Sequence, residues 1–158
     1  MDAHDSRSPG ITCGTQAPAG AAPSVDLDVL VDTVARPATL LLATTPLPQA
    51  WARLHHDPDR CGVVVRDGRP IAVVTAGGVA ERWCGGGPLV QHRATVQDVL
   101  DQPGGVEVLD GHDTLRAAAR MLVRTGLIAL PVRRRPDRTL RVVTTTGLLT
   151  FLLAGPPA

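Results

Sequence analysis

Two stretches of the chain, Arg60–Cys84 and Thr125–Leu153, carry the same succession of patterns. Each opens on a short apolar run, Gly62–Val65 in one and Ala129–Val132 in the other. A charged turn follows, then a second run ending in Val-Val-Thr (Val73–Thr75; Val142–Thr144), then an apolar helical segment. Asp67-Gly68 between two β-branched runs predicts a hairpin, because this dipeptide accepts the positive φ of a tight hairpin turn. Ahead of each hairpin, apolar residues recur at i, i+3, i+4 and i+7, which is one face of a helix. They are Leu47, Ala50, Trp51 and Leu54 in the first stretch, and Leu115, Ala118, Ala119 and Leu122 in the second. Leu47 to Thr75 is 28 residues and Leu115 to Thr144 is 29, the extra one falling in the second hairpin. Two β-α-β-β-α units at this period are an internal duplication. One unit alone is too small to bury a comfortable core, so the two are expected to pack on each other.

The remaining segments fill in this plan. Residues 1–24 contain Gly, Ala, Pro, Ser and Asp with almost no large apolar side chains, and read as a disordered tail. The first unit spans residues 25–86. It opens on a short helix with Leu27, Leu30, Val31 and Val34 inward, ended by Pro37, and continues into a strand at Thr39–Leu42. Thr44 and Thr45 are the expected N-cap of the next helix, with Pro46 in its first turn. Gly85-Gly86-Gly87-Pro88 is the one internal linker signal. The second unit, residues 89–154, restarts with a helical segment at Val96, Val99 and Leu100, stopped by Pro103. A strand at Val106–Leu109 and a helix capped by Asp113 follow, and Gly155-Pro156-Pro157 ends the pattern.

Composition removes several chemistries. All sixteen basic side chains other than histidine are arginines, so there is neither a P-loop lysine nor a Schiff-base lysine. Serine occurs only at Ser6, Ser8 and Ser24, which leaves no Gly-x-Ser-x-Gly nucleophile. Cys13, Cys61 and Cys84 are odd in number and widely spaced. They read as reduced thiols of a cytoplasmic protein, with Cys61 and Cys84 buried or half-buried. His55, His56, His92 and His112 do not show metal-ligand spacing. A net charge of +1 with little aromatic content argues against nucleic acid as a partner, and the apolar runs are too short for a membrane span. Trp51 and Trp83 fall on inward helical positions, and the arginines at 116, 120 and 124 and at 133–135 read as solvated faces.

With the elements in this order, the chain resembles the CBS domain, and its duplication resembles the tandem pair called a Bateman module. The second unit carries the clearest likeness: Gly126, then Ala129-Leu130-Pro131-Val132, then Val142-Val143-Thr144. Thr95–Leu100 resembles the usual opening of such a unit, and Gly62–Val65 with Val73–Thr75 is the counterpart in the first. The resemblance covers about Leu27 to Ala154. It implies an α/β fold of two pseudo-symmetric β-α-β-β-α units packed sheet to sheet. It also implies a non-catalytic regulatory role, often as a homodimer, binding AMP, ADP, ATP or S-adenosylmethionine in a cleft between the units.

Carried over by position, the ligand-binding residues are Gly62, Val63 and Val64, and Ala129, Leu130 and Pro131, along which adenine would lie. Thr75 and Thr144 would meet ribose or phosphate, with Arg141 beside the second. The family's ribose-binding Asp, three residues after the Thr, is Gly78 in one unit and Gly147 in the other, and the preceding Gly is replaced by Ala72 and Arg141. Each lost charge-assisted hydrogen bond is worth about 1.5–3 kcal/mol. The departure keeps open a second reading: a pair without ligand that serves as a dimerisation or protein-docking module. The leading expectation is a nucleotide sensor whose better site lies at Thr144, Ala129 and Pro131.

Overall fold

The computed structural model describes residues 26–100 and 105–155. The expected tail, Val25, Pro103 and Pro156-Pro157 lie outside the described residues. The first hairpin joins β3 (Cys61–Arg66) to β4 (Arg69–Thr75), and Asp67 and Gly68 both take positive φ, +51° and +71°. This is the turn that matches the twist of paired strands. β2 (Leu40–Leu42) adds in parallel to β3, completing a three-stranded sheet in the order β2-β3-β4. The second sheet has four strands: β1 (Arg36–Pro37), β7 (Leu140–Thr144), β6 (Ala129–Arg133) and β5 (Leu109–Asp110), in that order across the sheet.

The helices α1 (Leu47–His55), α2 (Ala76–Gly85), α4 (Leu115–Thr125) and α5 (Thr145–Ala154) cover the outer faces of these sheets. Leu47, Ala50 and Leu54 are fully buried with Val64 and Val79 in one core; Leu115, Ala118, Leu130 and Val143 are buried in the other. Between the two sheets lies a third, smaller cluster of Cys61, Val63, Ala129 and Val142. The period-two alternation of strand side chains accounts for this division. Val63 and Ala129 turn toward the opposite sheet, while their neighbours Val64 and Leu130 turn toward the helices. The units are packed sheet to sheet, as the resemblance implies.

The leading segments exchange partners. Leu27, Val29, Val31, Val34 and Ala35 pack into the core built by α4, α5 and the four-stranded sheet. Ala94, Val96, Val99 and Leu100 pack into the core of α1 and α2. Backbone hydrogen bonds fix both placements: Val31 N–H to Asp113 O and Leu115 N–H to Val29 O on one side, Val96 N–H to Thr45 O and Gln97 N–H to Ala43 O on the other. β1 follows the first of these segments and so joins the second unit's sheet, antiparallel to β7.

Several local expectations are corrected. The opening segments are single 3-10 turns, at Val31–Thr33 and Val96–Val99, because flanking extended residues pair with the other unit instead of continuing a helix. The α1 N-cap is Pro46, without a side-chain cap. The Thr45 hydroxyl is turned back to accept from Leu42 N–H, and Leu47 N–H is bonded to Ala94 O. Thr114, not Asp113, caps α4, accepting from Ala117 N–H, while Asp113 accepts from Asp110 N–H. The glycine-rich linker is a break of one residue between two helices. α2 runs to Gly85 and α3 (Gly87–Arg93) begins at once, with Pro88 in the first turn where its missing N–H costs nothing. The expected strand at Val106–Leu109 is confined to β5. Cys84 is exposed rather than buried, whereas Cys61 is fully buried.

Candidate functional site

Thr144 ends β7 and is the N-cap of α5; its hydroxyl accepts from Gly147 N–H at 2.9 Å. Thr75 occupies the same place before α2, accepting from Gly78 N–H at 3.0 Å. Both threonines thereby satisfy one of the N–H groups that a helix start leaves without a partner. The glycines at 78 and 147 are the residues so capped.

Thr144 differs from Thr75 in what its hydroxyl donates to. It is 4% exposed and gives its proton to Asp59 Oδ2 at 3.1 Å, across the junction between the units. The same Asp59 oxygen accepts from Arg36 Nε at 2.6 Å. Arg36 also grips Asp57 with both terminal nitrogens, Nη1 to Oδ2 at 3.0 Å and Nη2 to Oδ1 at 2.5 Å. Thr39 Oγ1 donates to Asp57 Oδ2 at 2.7 Å and Asp59 N–H to Asp57 Oδ1 at 3.0 Å, so the Asp57 carboxylate accepts four hydrogen bonds. Burial by itself would push the Asp57 carboxyl up, but the hydrogen bonds from Arg36 and Thr39 hold it below the ordinary carboxylate range. Burial likewise opposes the Arg36 charge, and its bonds to Asp57 and Asp59 more than offset this, raising its pKa. Cys61, beside this cluster, is pushed up to about 11 by burial, against the opposing pull of Arg36; it stays a thiol.

These residues back a cavity of about 380 Å³ at the start of α5. Val34, Pro58 and Phe151 give it apolar walls, and Thr146, Gly147, Arg36 and Asp59 supply its polar edge. A mostly apolar cleft with a few fixed polar groups is the usual form of a small-molecule site. On the pseudo-symmetric side, Thr75 and Gly78 border a shallow depression of about 220 Å³. A wider one of about 660 Å³ adjoins it, walled by the charged side chains of Glu81, Arg82 and Asp98.

The remaining residues singled out from the sequence are placed elsewhere. Gly62, Val63, Val64, Ala129, Leu130 and Pro131 lie in β3 and β6 and are buried. Ala129 is paired in register with Thr144, and Cys61 with Thr75, so the strands reach the threonines through backbone pairing. Arg141 points to Asp32, donating to its carboxylate at 3.0 Å and its carbonyl at 3.3 Å. It borders a surface depression with Arg134 and Arg138. The residues that sequence reasoning passed over are Arg36, Asp57 and Asp59. The available signal was His55-His56-Asp57-Pro58-Asp59, two carboxylates flanking a proline just before a strand. Among the described residues, no group of three His, Cys, Asp or Glu side chains is arranged to hold a metal ion, and no helix is long and apolar enough to cross a membrane.

No protein-family model matches the sequence, and no curated protein matches it. Solved structures match its fold over about four fifths of the chain. A CBS domain-containing protein from Kribbella flavida aligns with a TM-score of 0.60 at 18% identity, over 79% of this chain and 99% of its own. CBSX2, solved in complex with AMP, aligns with a TM-score of 0.59 at 20% identity, over 78% and 96% of the two chains. The CBS domain pair of protein MJ0100, in complex with 5′-methylthioadenosine and S-adenosyl-L-methionine, gives 0.61 at 15% identity, over 78% and 98%. The duplicated units, their sheet-to-sheet packing and these alignments together show that the chain has the fold of a tandem CBS-domain pair.

Proposed function

We propose that this protein is a non-catalytic regulatory module that binds an adenosine compound, of the class of AMP, ADP, ATP or S-adenosylmethionine, in the cleft between its units. The observation that carries this reading is the cavity at the start of α5, built from both units and backed by the Thr144–Asp59–Arg36 network. Structural neighbours hold adenosine compounds, which supports the ligand class. A ligand seated there touches Pro58 and Asp59 of one unit and α5 of the other, and so biases their relative packing. Regulation follows to the extent that it binds two packings unequally.

Thermal unfolding with each of AMP, ADP, ATP and S-adenosylmethionine at millimolar concentration tests the reading. A ligand present at about a hundred times its dissociation constant adds about 2.7 kcal/mol. That is a rise of about 5–10 °C for a chain of this size. Thr144→Ala is expected to abolish most of that rise while lowering the baseline by about 2 kcal/mol, the worth of a helix cap together with the hydrogen bond to Asp59. No rise with any of the four would sink the proposal.

One surface favours the second reading, an assembly module. Val123 in α4, Ile128 just after it, and Leu149, Leu152 and Leu153 on α5, are all exposed, Leu153 to 89%. A homodimer through this face would sediment at twice the monomer mass, and Leu149→Glu with Leu153→Glu would return it to monomer. Monomeric wild-type protein at micromolar concentration would refute this arrangement.

A further inference from the structure

The cavity beside Thr144 meets its ligand with two charged side chains among the described residues, Arg36 and Asp59. Arg36 has little donor capacity to spare. Its Nε–H goes to Asp59; one proton of each terminal nitrogen goes to Asp57. The second Nη1 proton goes to Pro37 O at 3.3 Å, and Nη2 lies 4.0 Å from Cys61 Sγ, a weak acceptor. Four of the five guanidinium N–H groups are thus held by oxygen acceptors. Asp59 is the opposite case. Its Oδ2 is taken by Arg36 and Thr144, while its Oδ1 has no hydrogen-bond partner among the described residues, and Asp59 is itself part of the cavity wall. One guanidinium against two carboxylates leaves the cluster with one net negative charge. The start of α5 offsets this only in part: Thr145 N–H is bonded to Ile128 O and Gly147 N–H to Thr144 Oγ1, which leaves the N–H of Thr146, a residue of the cavity wall, without a partner among the described residues.

A wall with a free carboxylate oxygen, a cation largely held by its own carboxylates and a negative balance accepts hydroxyl donors and repels phosphate. Resting on the adenosine-binding reading above, we infer that this cleft selects an adenosine compound without phosphate, a neutral nucleoside or its sulfonium derivative, and that Asp59 is the specificity-determining residue. Asp59 comes from the loop before β3, in the unit opposite α5, and accepts from the sugar hydroxyls through Oδ1. It thus supplies from across the junction the carboxylate that Gly147 lacks. A phosphate brought to the same place would face Asp59 in a partly desolvated site, where like charges repel several-fold more strongly than in water.

Isothermal titration of the full chain with adenosine, AMP and ATP tests this, since the three share base and sugar and differ only in phosphate. Adenosine is expected to bind at least about tenfold more tightly than AMP, with ATP weakest. Asp59→Asn removes the charge while keeping an amide oxygen that can accept from Arg36 Nε–H. It is expected to lower adenosine affinity about tenfold, the worth of a charge-assisted hydrogen bond, and to bring AMP level with or ahead of adenosine. A merely structural role for Asp59 would weaken both ligands alike and leave their ratio unchanged. AMP or ATP binding wild-type protein as tightly as adenosine overturns the inference and leaves the adenosine-binding reading standing. Failure of all three, together with S-adenosylmethionine, overturns both. The wild-type ranking decides the matter even if the variant does not fold.

Discussion

Asp57→Ala is expected to destabilise the protein by about 3 kcal/mol, the low end of the range for removing one partner of a buried ion pair. For a chain of this length that is a fall of about 10 °C in Tm. The Asp57 side chain is 3% exposed, and its carboxylate accepts from Arg36 twice, from Thr39 and from Asp59 N–H. Truncation leaves two guanidinium N–H groups, a hydroxyl and a backbone amide without this acceptor. The low end applies because Arg36 keeps Asp59 and is itself 26% exposed. The pH dependence has a definite sign. The Asp57 carboxyl lies below its ordinary value of 3.8 in the folded state, so its contribution is complete above 3.8 and is lost as pH falls through the lowered folded value. Wild-type protein should therefore lose stability more steeply in acid than Asp57→Asn. Calorimetry across that range checks both statements, and a loss below about 1 kcal/mol for Asp57→Ala would show that the network is not a structural tie.

Gly62→Val is the second large effect, with an expected cost of about 3 kcal/mol, at the upper part of the range for overpacking a close-packed core. Gly62 lies in β3 directly beneath α1. A Cβ built on it falls 2.7 Å from Leu54 Cδ2 and 2.9 Å from Thr39 O. Leu54 is fully buried and has little room to move. Thr39 O is held in place as the acceptor of Val63 N–H at 2.9 Å. Neither neighbour yields cheaply, and the two extra methyl groups of valine deepen the clash. Denaturant unfolding measures it. Leu54→Ala added to Gly62→Val should recover part of the loss, because it opens one of the two contacts. A Gly62→Val chain as stable as wild type would mean that α1 stands off β3 farther than described. The absence of a side chain at Gly62 thus has a packing reason independent of any ligand.

Much of the architecture was legible before any coordinates. Asp67-Gly68 marked the first hairpin because few dipeptides tolerate two consecutive positive φ values. The Leu47–Leu54 and Leu115–Leu122 spacings marked two helices because only a 3.6-residue period places those side chains together. Less was legible where the outcome depended on distant partners. Asp113 and Thr114 are both acceptable caps, and the choice turned on Asp113 being drawn to Asp110 N–H. The Gly85–Pro88 run reads as a break and is a short one: α2 stops at Gly85, Gly87 takes φ +72°, and α3 restarts with Pro88 in its first turn, which the sequence did not mark as helical.

The site shows the same division more sharply. Thr144 and Thr75 were legible as positions of the site through the family resemblance of Val-Val-Thr ahead of a helical segment; that they cap α5 and α2 is a finding of the structure. Arg36, Asp57 and Asp59 were not legible, because an arginine before a proline and two aspartates in a loop have no periodic signature. Arg141 seemed equally available to a ligand in sequence, and its pairing with Asp32 depends on a residue 109 positions away.

By itself, then, the sequence determined the repeat, the two hairpins and the helices before and after each of them, all of which follow from backbone preferences and side-chain periodicity over a few residues. Only the tertiary structure decided that the opening segments cross to the opposite unit. It alone placed Arg36, carried there by β1 pairing with β7, between Asp57 and Asp59 at the edge of the cavity. The physical reason is range. Local dihedral and burial preferences act within a few residues of chain, whereas the charge balance of a cleft depends on which side chains from separate segments the packing brings within hydrogen-bonding distance.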